Sequence, residues 1–373
     1  MRMQAAVLNA VNAPLAIEEV ELDAPQDGEV LVRMVATGVC HSDVHYITGE
    51  NARELPLILG HEGAGIVEAV GPGVTTAAPG DHVILTFLPS CGQCRWCQSG
   101  HPVLCDLGKV LRNGTMPDGT RRLRKPDGTE INNFLFVSTF AEYSVVPATS
   151  VVRVPKEAPL ERVCLLGCGF TTGFGTATNA IHIRPGETVT VIGCGGLGLA
   201  AIQGAVLSGA GQIIAVDLHE GKLAMAKQFG ATDTIVSRGN EETLAQIMAL
   251  TGELGTDYAL EFVGGGATPK TAELAFNAIH KGGTMVFAGL APDDITSMPI
   301  SPKLLMTQQK RVVGALFGDS QFRNDVPRYV ELYLQGRINL DDMVSREIGL
   351  ADINDAVQEV IAGDKVARQV IRF

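Results

Sequence analysis

The segment 188–216 limits the possible folds of this chain most, because it holds no charged residue and seven glycines. Its apolar run Thr188–Ile192 predicts a buried strand, and the following residues predict a helix over 197–208 and a strand over 213–216. A segment of this length could cross a bilayer, but its glycines fall where a strand turns into a helix. The segment therefore predicts the first strand–helix–strand unit of a parallel sheet.

Strand-like and helix-like runs continue to alternate as far as about residue 315. Near-continuous apolar strands between helices are typical of a parallel sheet that is covered on both faces. The further strands are predicted over 234–236, 258–262, 284–288 and 311–315, and the helices over 220–229, 241–250 and 270–279. We expect an α/β domain with a doubly wound sheet, the Rossmann architecture.

Residues 1 to about 150 have a different texture, with short β-like runs separated by glycine, proline and aspartate. Examples of these runs are 29–36, 65–70 and 82–87. The polar stretch 106–135 carries Asn-Gly and Asp-Gly turn signals, and we expect a long loop there. This pattern therefore predicts a second domain that is mostly β.

The glycines of the first unit fit the pattern G-x-G-x-x-G in the run Gly193-Cys194-Gly195-Gly196-Leu197-Gly198. In this pattern the first glycine permits a tight turn, the second lets the backbone approach a pyrophosphate, and the third lets helix and strand pack closely. Asp217 ends the next strand, where a carboxylate binds ribose hydroxyls and repels a 2′-phosphate, and Lys222 follows within reach of the same ribose. The pattern predicts an NAD site, and a glycine-rich turn that binds nothing is the alternative.

Four of the eight cysteines, Cys91, Cys94, Cys97 and Cys105, lie within fifteen residues. Short C-x2-C steps can wrap the backbone around an ion, and tetrahedral zinc takes four thiolates at about 2.3 Å. With all four positions filled, this lobe (residues 91–105) would be a closed, structural zinc site. Reduced free thiols and an iron–sulfur cluster are the alternatives.

The charge balance excludes several classes of partner. Lys+Arg 29 against Asp+Glu 41 gives a net charge of −12, so phosphate backbones and anionic lipid surfaces would repel the chain. The first residues lack the apolar core of a secretory signal, and clustered cysteines without such a signal favour metal over disulfides. We expect a cytoplasmic protein without nucleic-acid or membrane partners.

The remaining motifs resemble those of the zinc-containing medium-chain dehydrogenases, whose best-known members are the alcohol dehydrogenases. The stretch Gly60-His61-Glu62-x2-Gly65-x5-Gly71-x2-Val74 is similar to the zinc signature of that family. Further similar stretches are Gly80-Asp81-His82-Val83, Leu166-Gly167-Cys168-Gly169-Phe170-Thr171-Thr172-Gly173 and Gly314-Ala315-Leu316-Phe317-Gly318. The resemblance implies a mostly β, GroES-like catalytic domain of 1–169 and 317–373, split around a nucleotide-binding domain of 170–316.

The resemblance also implies roles for individual residues. Cys40, His61 and Cys168 would bind a catalytic zinc, with Glu62 close behind the metal, so the chain would hold two zinc ions. Ser42 would accept the substrate proton, His45 would relay it, and Asp43 would orient His61. Thr172 and Leu197 would pack against the nicotinamide, and His41 and Arg368 would contact the pyrophosphate. Phe87 would form a wall of the substrate pocket.

By the same resemblance the chain would oxidise a primary or secondary alcohol with NAD, or reduce the carbonyl product, as a homodimer. Two subtypes stay open: the S-(hydroxymethyl)glutathione (formaldehyde) dehydrogenases, and the nicotinoprotein alcohol dehydrogenases, which keep NAD bound through turnover. The glutathione-dependent group carries an arginine where this chain has Lys109 and a tyrosine where it has His45. A non-catalytic relative that kept the fold is the remaining alternative, although no implied zinc ligand is missing.

Overall fold

The computed structural model describes residues 1–363 and 367–373. These residues form two compact units: unit 1 is Met1–Cys168 with Gln321–Phe373, and unit 2 is Gly169–Ser320. Unit 2 therefore ends four residues later than the segment 170–316 that the resemblance implied, and begins one residue earlier.

The strands and helices of the described residues follow in chain order. The strands are β1 (Arg2–Leu8), β2 (Ala16–Leu22), β3 (Glu29–Gly38), β4 (Leu57–Ile58), β5 (Glu62–Val70), β6 (His82–Leu85), β7 (Leu123–Arg124), β8 (Glu130–Asn133), β9 (Tyr143–Pro147), β10 (Val151–Val154), β11 (Thr188–Ile192), β12 (Gln212–Asp217), β13 (Asp233–Val236), β14 (Thr256–Glu261), β15 (Ile279–Phe287), β16 (Arg311–Gly314), β17 (Val344–Ile348) and β18 (Arg368–Arg372). The α-helices are α1 (His41–Ile47), α2 (Arg95–Gln98), α3 (Leu160–Val163), α4 (Gly169–Thr178), α5 (Gly196–Leu207), α6 (Glu220–Gln228), α7 (Asn240–Leu250), α8 (Thr268–Ala278), α9 (Pro302–Thr307), α10 (Phe322–Leu334) and α11 (Ile353–Ala362).

Unit 2 is built on a parallel sheet in the order β13-β12-β11-β14-β15-β16. Counted along the chain from β11, this is the order 3-2-1-4-5-6 of a doubly wound dinucleotide-binding fold. The central strands β11 and β12 are buried except at terminal residues, as near-continuous apolar strands require when helices cover both faces. The predicted α/β architecture is confirmed.

The uncharged segment 188–216 folds as β11, α5 and β12, which is the predicted strand–helix–strand unit. Gly193 has a φ of 90°, a conformation that glycine adopts without strain. A Cβ at Gly198 would overlap the carbonyl oxygen of Gly193, so helix α5 can pack this close to the turn only with glycine there. Among the described residues, none lies in a helix long and apolar enough to cross a membrane.

Unit 1 is mostly β, as predicted. Strands β1, β2, β7, β8 and β4 close into a barrel, and a second sheet runs in the order β10-β6-β5-β3-β18-β17, with β9 also paired to β3. The carboxyl-terminal strand β18 pairs with β3, so the last part of the chain returns to the sheet formed by its first part. Cys40 lies between β3 and α1, and His61 lies directly before β5, so both are positioned by this sheet.

The polar stretch 106–135 differs from the expected long loop. It contains the antiparallel pair β7 and β8, and these two short strands complete the barrel by pairing with β2 and β4. Each strand has few apolar residues, because its place depends on partners far away in the sequence. Local turn signals located the bend at Asp127-Gly128 but could not reveal those partners.

Candidate functional site

The first candidate site is a cluster of buried metal-binding side chains in unit 1. The ligand atoms of Cys40, His61, Glu62 and Cys168 all lie within 4.8 Å of one another, and all four residues are buried. Cys40 directly precedes α1, His61 directly precedes β5, Glu62 is the first residue of β5, and Cys168 directly follows a 3-10 helix. The fold thus brings together residues that are up to 128 positions apart in the sequence (168 − 40 = 128).

Asp43 fixes the orientation of His61. The Asp43 Oδ1 lies 3.0 Å from His61 Nδ1 and accepts a hydrogen bond from the Gly60 amide at 3.1 Å, while Oδ2 accepts from the Cys40 amide at 3.2 Å. A carboxylate only accepts hydrogen bonds, so Nδ1 donates and the Nε2 lone pair is left for the cluster. One buried carboxylate thus organises the backbone at two of the candidate ligands as well as the ring of the histidine.

Arg368 also reaches this cluster. Its Nη2 lies 3.1 Å from Glu62 Oε1 and 3.3 Å from Cys40 Sγ. The guanidinium offsets the charge of the Glu62 carboxylate, which would be costly to bury alone. The resemblance assigned Arg368 to a pyrophosphate, and that role stays a prediction beside this contact.

Two aromatic rings pack edge-on against His61. The ring centroid of Phe87 lies 5.4 Å from that of His61, and the centroid of Phe134 lies 5.8 Å away. Phe134 also lines a cavity of about 380 Å³ in unit 1, together with Arg53, Arg112 and other residues. Phe87 was singled out in the sequence, whereas Phe134 was not, because no motif marks it.

Ser42 and His45 lie on α1, three positions apart, and so share one face of the helix. The His45 side chain is only 10% exposed, and its Nδ1 lies 2.6 Å from Glu50 Oε2. The His41 ring lies 5.0 Å from the His45 ring. No motif marks Glu50, although its position five residues after a candidate relay histidine is a signal for such a contact.

The second cluster joins Cys91, Cys94, Cys97 and Cys105, whose sulfur atoms also lie within 4.8 Å of one another. The Cys94 Sγ is 3.6 Å from Cys97 Sγ and 3.9 Å from Cys105 Sγ, and none of the four forms a disulfide. Tetrahedral sulfur ligands at about 2.3 Å from zinc would lie about 3.8 Å apart. The spacing of these thiols therefore fits a closed zinc site.

The glycine turn of unit 2 leaves room for a ligand. Around Gly195 a Cβ would meet nothing within 4 Å, and its φ of −76° is open to any residue. Neither packing nor strain therefore requires glycine here, whereas a close approach of a phosphate to the backbone would require it. The following turn residues Gly196 and Leu197 begin α5, whose amino-terminal end favours an anion.

Asp217 lies at the end of β12 beside this turn. Its Oδ2 accepts from the Cys194 amide at 2.8 Å and its Oδ1 from the His219 amide at 3.0 Å. These two bonds hold the carboxylate next to the glycine motif, where a ribose would bind. Lys222 lies on α6, and Thr172 lies buried on α4, both within unit 2.

A fully buried carboxylate, Glu261, lies at the end of strand β14, which pairs with β11. Its Oε1 accepts hydrogen bonds from the Val263 amide at 2.9 Å and the Thr271 hydroxyl at 2.8 Å. Burial raises the pKa of this carboxyl above its usual value. The sequence analysis did not single it out, because a lone glutamate at a strand end matches no motif.

Known protein families match both the first and the second half of the chain. A family model described as "Alcohol dehydrogenase GroES-like domain" matches residues 26–156, and one described as "Zinc-binding dehydrogenase" matches residues 196–335. The NDMA-dependent alcohol dehydrogenase of Amycolatopsis methanolica is 40% identical over 366 residues, which cover 98% of each chain. The S-(hydroxymethyl)glutathione dehydrogenase of Paracoccus denitrificans is 39% identical over 380 residues and is matched over 100% of both chains.

Solved structures show the same relationship. The crystal structure of an alcohol dehydrogenase zinc-binding domain protein from Burkholderia ambifaria superposes with a TM-score of 0.94 at 37% identity, covering 100% of this chain and 99% of the other. The family implies zinc and a nicotinamide cofactor, and the two clusters and the glycine turn offer the donor atoms and the open backbone that these groups need. The chain belongs to the zinc-containing medium-chain alcohol dehydrogenase family.

Proposed function

We propose that this protein is an NAD-linked alcohol dehydrogenase that interconverts a primary or secondary alcohol and its aldehyde or ketone at the Cys40, His61 and Cys168 centre. The observation that carries the proposal is the convergence of two buried thiols and an oriented imidazole on one point. Two cysteines and one histidine form the ligand set of catalytic zinc in alcohol dehydrogenases, and three protein ligands leave one position open. Glu62 also belongs to the cluster, but its carboxylate pairs with Arg368, whereas all four groups of a closed structural site would be committed to the metal.

When bound, zinc would polarise the substrate hydroxyl and lower its pKa, and the nicotinamide would accept the hydride. The chain itself supplies the geometry for this chemistry. Asp43 keeps the His61 Nε2 directed at the cluster, and Arg368 offsets the charge of Glu62 beside it. The rings of Phe87 and Phe134 shield His61 and give an apolar wall next to the centre.

Ser42 and His45 would carry the proton away from the substrate. Their positions on one face of α1 support a path in which the Ser42 hydroxyl receives the proton and His45 passes it on. Ser42→Ala removes the hydroxyl and should nearly stop turnover, whereas Ser42→Thr keeps it and should retain a substantial part. Equal activity of the alanine variant and the native enzyme would remove Ser42 from the path.

The finer features of the proposal concern metal count, coenzyme choice and assembly. The four-cysteine lobe would hold a second, structural zinc, and Asp217 would favour NAD over NADP. We further propose a homodimer in the cytoplasm, where a reducing environment keeps the eight cysteines as thiols.

The glutathione-dependent subtype is the second candidate, because a relative of that name is 39% identical. Lys109 stands where that group has its glutathione-binding arginine, and its side chain is 77% exposed and paired with Asp106 at 2.7 Å. A lysine already paired in this way would hold a carboxylate less firmly than a bidentate arginine. We therefore rank simple alcohols first.

A steady-state screen of alcohols with NAD, run with and without glutathione and formaldehyde, tests this proposal. We expect turnover of simple alcohols without glutathione. Activity only with glutathione and formaldehyde together would favour the second candidate. No turnover under any condition, together with no burst of reduced nicotinamide from alcohol alone, would contradict both. Mixing the isolated enzyme with alcohol alone shows whether NAD stays bound, because a bound coenzyme would give one burst of reduced nicotinamide absorbance.

A further inference from the structure

A tight turn after helix α1 brings Glu50 into contact with His45. Helix α1 ends at Ile47, and Gly49 then takes a φ of 79°, which reverses the chain direction. The Asn51 amide closes the turn on the His45 carbonyl at 3.0 Å. As a result the Glu50 Oε2 lies 2.6 Å from the His45 Nδ1.

The side chains of His45 and Glu50 differ in their exposure to solvent. The His45 side chain is 10% exposed, whereas that of Glu50 is 47% exposed. A deprotonated carboxylate only accepts hydrogen bonds, so the bond requires a hydrogen on Nδ1 and leaves the Nε2 lone pair free to accept a proton. Asp43 constrains His61 in the same way. The His41 ring also packs against that of His45, at 5.0 Å between centroids.

We propose that Glu50 is a positioning residue for proton transfer, which holds His45 in the tautomer whose Nε2 accepts the substrate proton. The inference rests on the proposed function, in which His45 lies on the proton path from Ser42. It adds a residue that the family resemblance did not supply.

The step is balanced in atoms and electrons. During alcohol oxidation the hydroxyl proton passes through the Ser42 hydroxyl to the His45 Nε2, while the electron pair leaves with the hydride. The resulting imidazolium keeps its Nδ1 hydrogen, which it donates to Glu50 in a hydrogen bond. It then loses the Nε2 proton to water or buffer. Carbonyl reduction runs the same transfers in reverse.

Glu50→Gln tests the proposal, because a glutamine amide can donate to Nδ1 and so favours the tautomer with hydrogen on Nε2. Replacing the carboxylate by the amide in a Ser-His-Asp triad has this effect and lowers kcat by about 10⁴-fold. Since His45 relays the proton and is not the first acceptor, we expect a smaller loss of kcat, about tenfold or more, that exogenous imidazole partly restores. KM for NAD and the thermal midpoint should stay near native, because Glu50 is half exposed.

Glu54→Gln is the matched control, since Glu54 lies four residues away, is 83% exposed and is near Arg121 rather than His45. We expect native kcat from it. The double variant His45→Gln/Glu50→Gln should be no slower than His45→Gln alone, because Glu50 then has no histidine to position.

The outcomes separate the inference from the proposed function. If His45→Gln slows turnover and imidazole restores it, while Glu50→Gln keeps native kcat, the relay stands and the role of Glu50 is wrong. Additive losses in the double variant, or a loss that imidazole does not restore, would also overturn that role. If neither variant changes kcat, the relay itself is wrong, although alcohol dehydrogenase activity would stand.

Discussion

The Nδ1 atom of His61 lies 3.0 Å from the Oδ1 atom of Asp43, and both side chains are buried. The thiols of Cys40 and Cys168 lie within 4.8 Å of the same imidazole. The same carboxylate binds the amides of Gly60 and Cys40. Asp43 therefore couples the backbone of Cys40 and of Gly60, which precedes His61, to the direction of the His61 ring, and a metal centre formed here depends on it.

Asp43→Asn should weaken zinc binding at this centre by about 10- to 100-fold, the usual cost of losing a carboxylate that orients a ligand histidine. An amide can accept only through its single oxygen, so at least one of the three contacts is lost. Zinc retention during dialysis against a chelator measures the effect. Asp81→Asn is a suitable comparison, because Asp81 contacts the Ala78 amide away from the cluster. Equal zinc retention by Asp43→Asn and the native chain would contradict the orienting role.

Asp217 should govern the choice of coenzyme. Its carboxylate is held by the Cys194 and His219 amides beside the glycine turn, where it would repel a 2′-phosphate. We expect kcat/KM for NAD to exceed that for NADP by about 100-fold or more, and Asp217→Gly to narrow the ratio. Steady-state kinetics with both coenzymes checks this, and equal use of the two by the native enzyme would remove the assigned role.

Trp96 should report the state of the four-cysteine lobe, because it is the only tryptophan and lies between Cys94 and Cys97. The indole is half-buried, and the Arg95 guanidinium lies 4.6 Å from its ring centroid. Cys94→Ala should release the structural zinc, shift the emission to longer wavelength and lower the thermal midpoint. The spectrum is to be recorded without coenzyme, since NADH can quench the indole. An unchanged spectrum and midpoint would mean that these cysteines hold no structural zinc.

Glu261 should make the stability of unit 2 depend on pH. Burial raises the pKa of its carboxyl, so the folded state holds the proton more tightly than the unfolded chain does. Stability is therefore lost as the pH rises from the ordinary value of the unfolded chain through the raised folded value. Glu261→Gln keeps an acceptor oxygen but cannot ionise. The thermal midpoint of Glu261→Gln minus that of the native protein should increase from pH 4 to pH 8. The same difference for the exposed control Glu253→Gln should stay constant. A constant difference for Glu261→Gln would contradict this.

The elements that position the nucleotide could be predicted because their signals are local. The strand Thr188–Ile192 has the predicted bounds, and the helix expected from residue 197 begins at Gly196. Strand β15 begins at Ile279, five residues before the predicted start, because Ile279 pairs with Thr256 of β14. Residues 280–283 lie where the register of that pairing shifts, and they have no strand-like pattern. Barrel strands β7 and β8 were missed for the same reason.

The sites divide in the same way. The four-cysteine lobe is contained in fifteen residues, and its spacing alone indicated zinc. Cys40, His61 and Cys168 are far apart in the sequence and were grouped only through the family resemblance. Contacts made by Phe134, Glu50 and Glu261 depend on how the chain folds back on itself, and no motif marks them.

The most direct test of the catalytic centre compares zinc content and alcohol-dependent turnover in Cys168→Ala and Cys164→Ala. Cys164 is an equally buried thiol four residues earlier, and it lies outside the cluster. We expect about two zinc ions per chain and full turnover in the native chain and in Cys164→Ala. Cys168→Ala should stay folded, lose about one zinc and lose turnover. Native zinc content and turnover in Cys168→Ala would contradict the account.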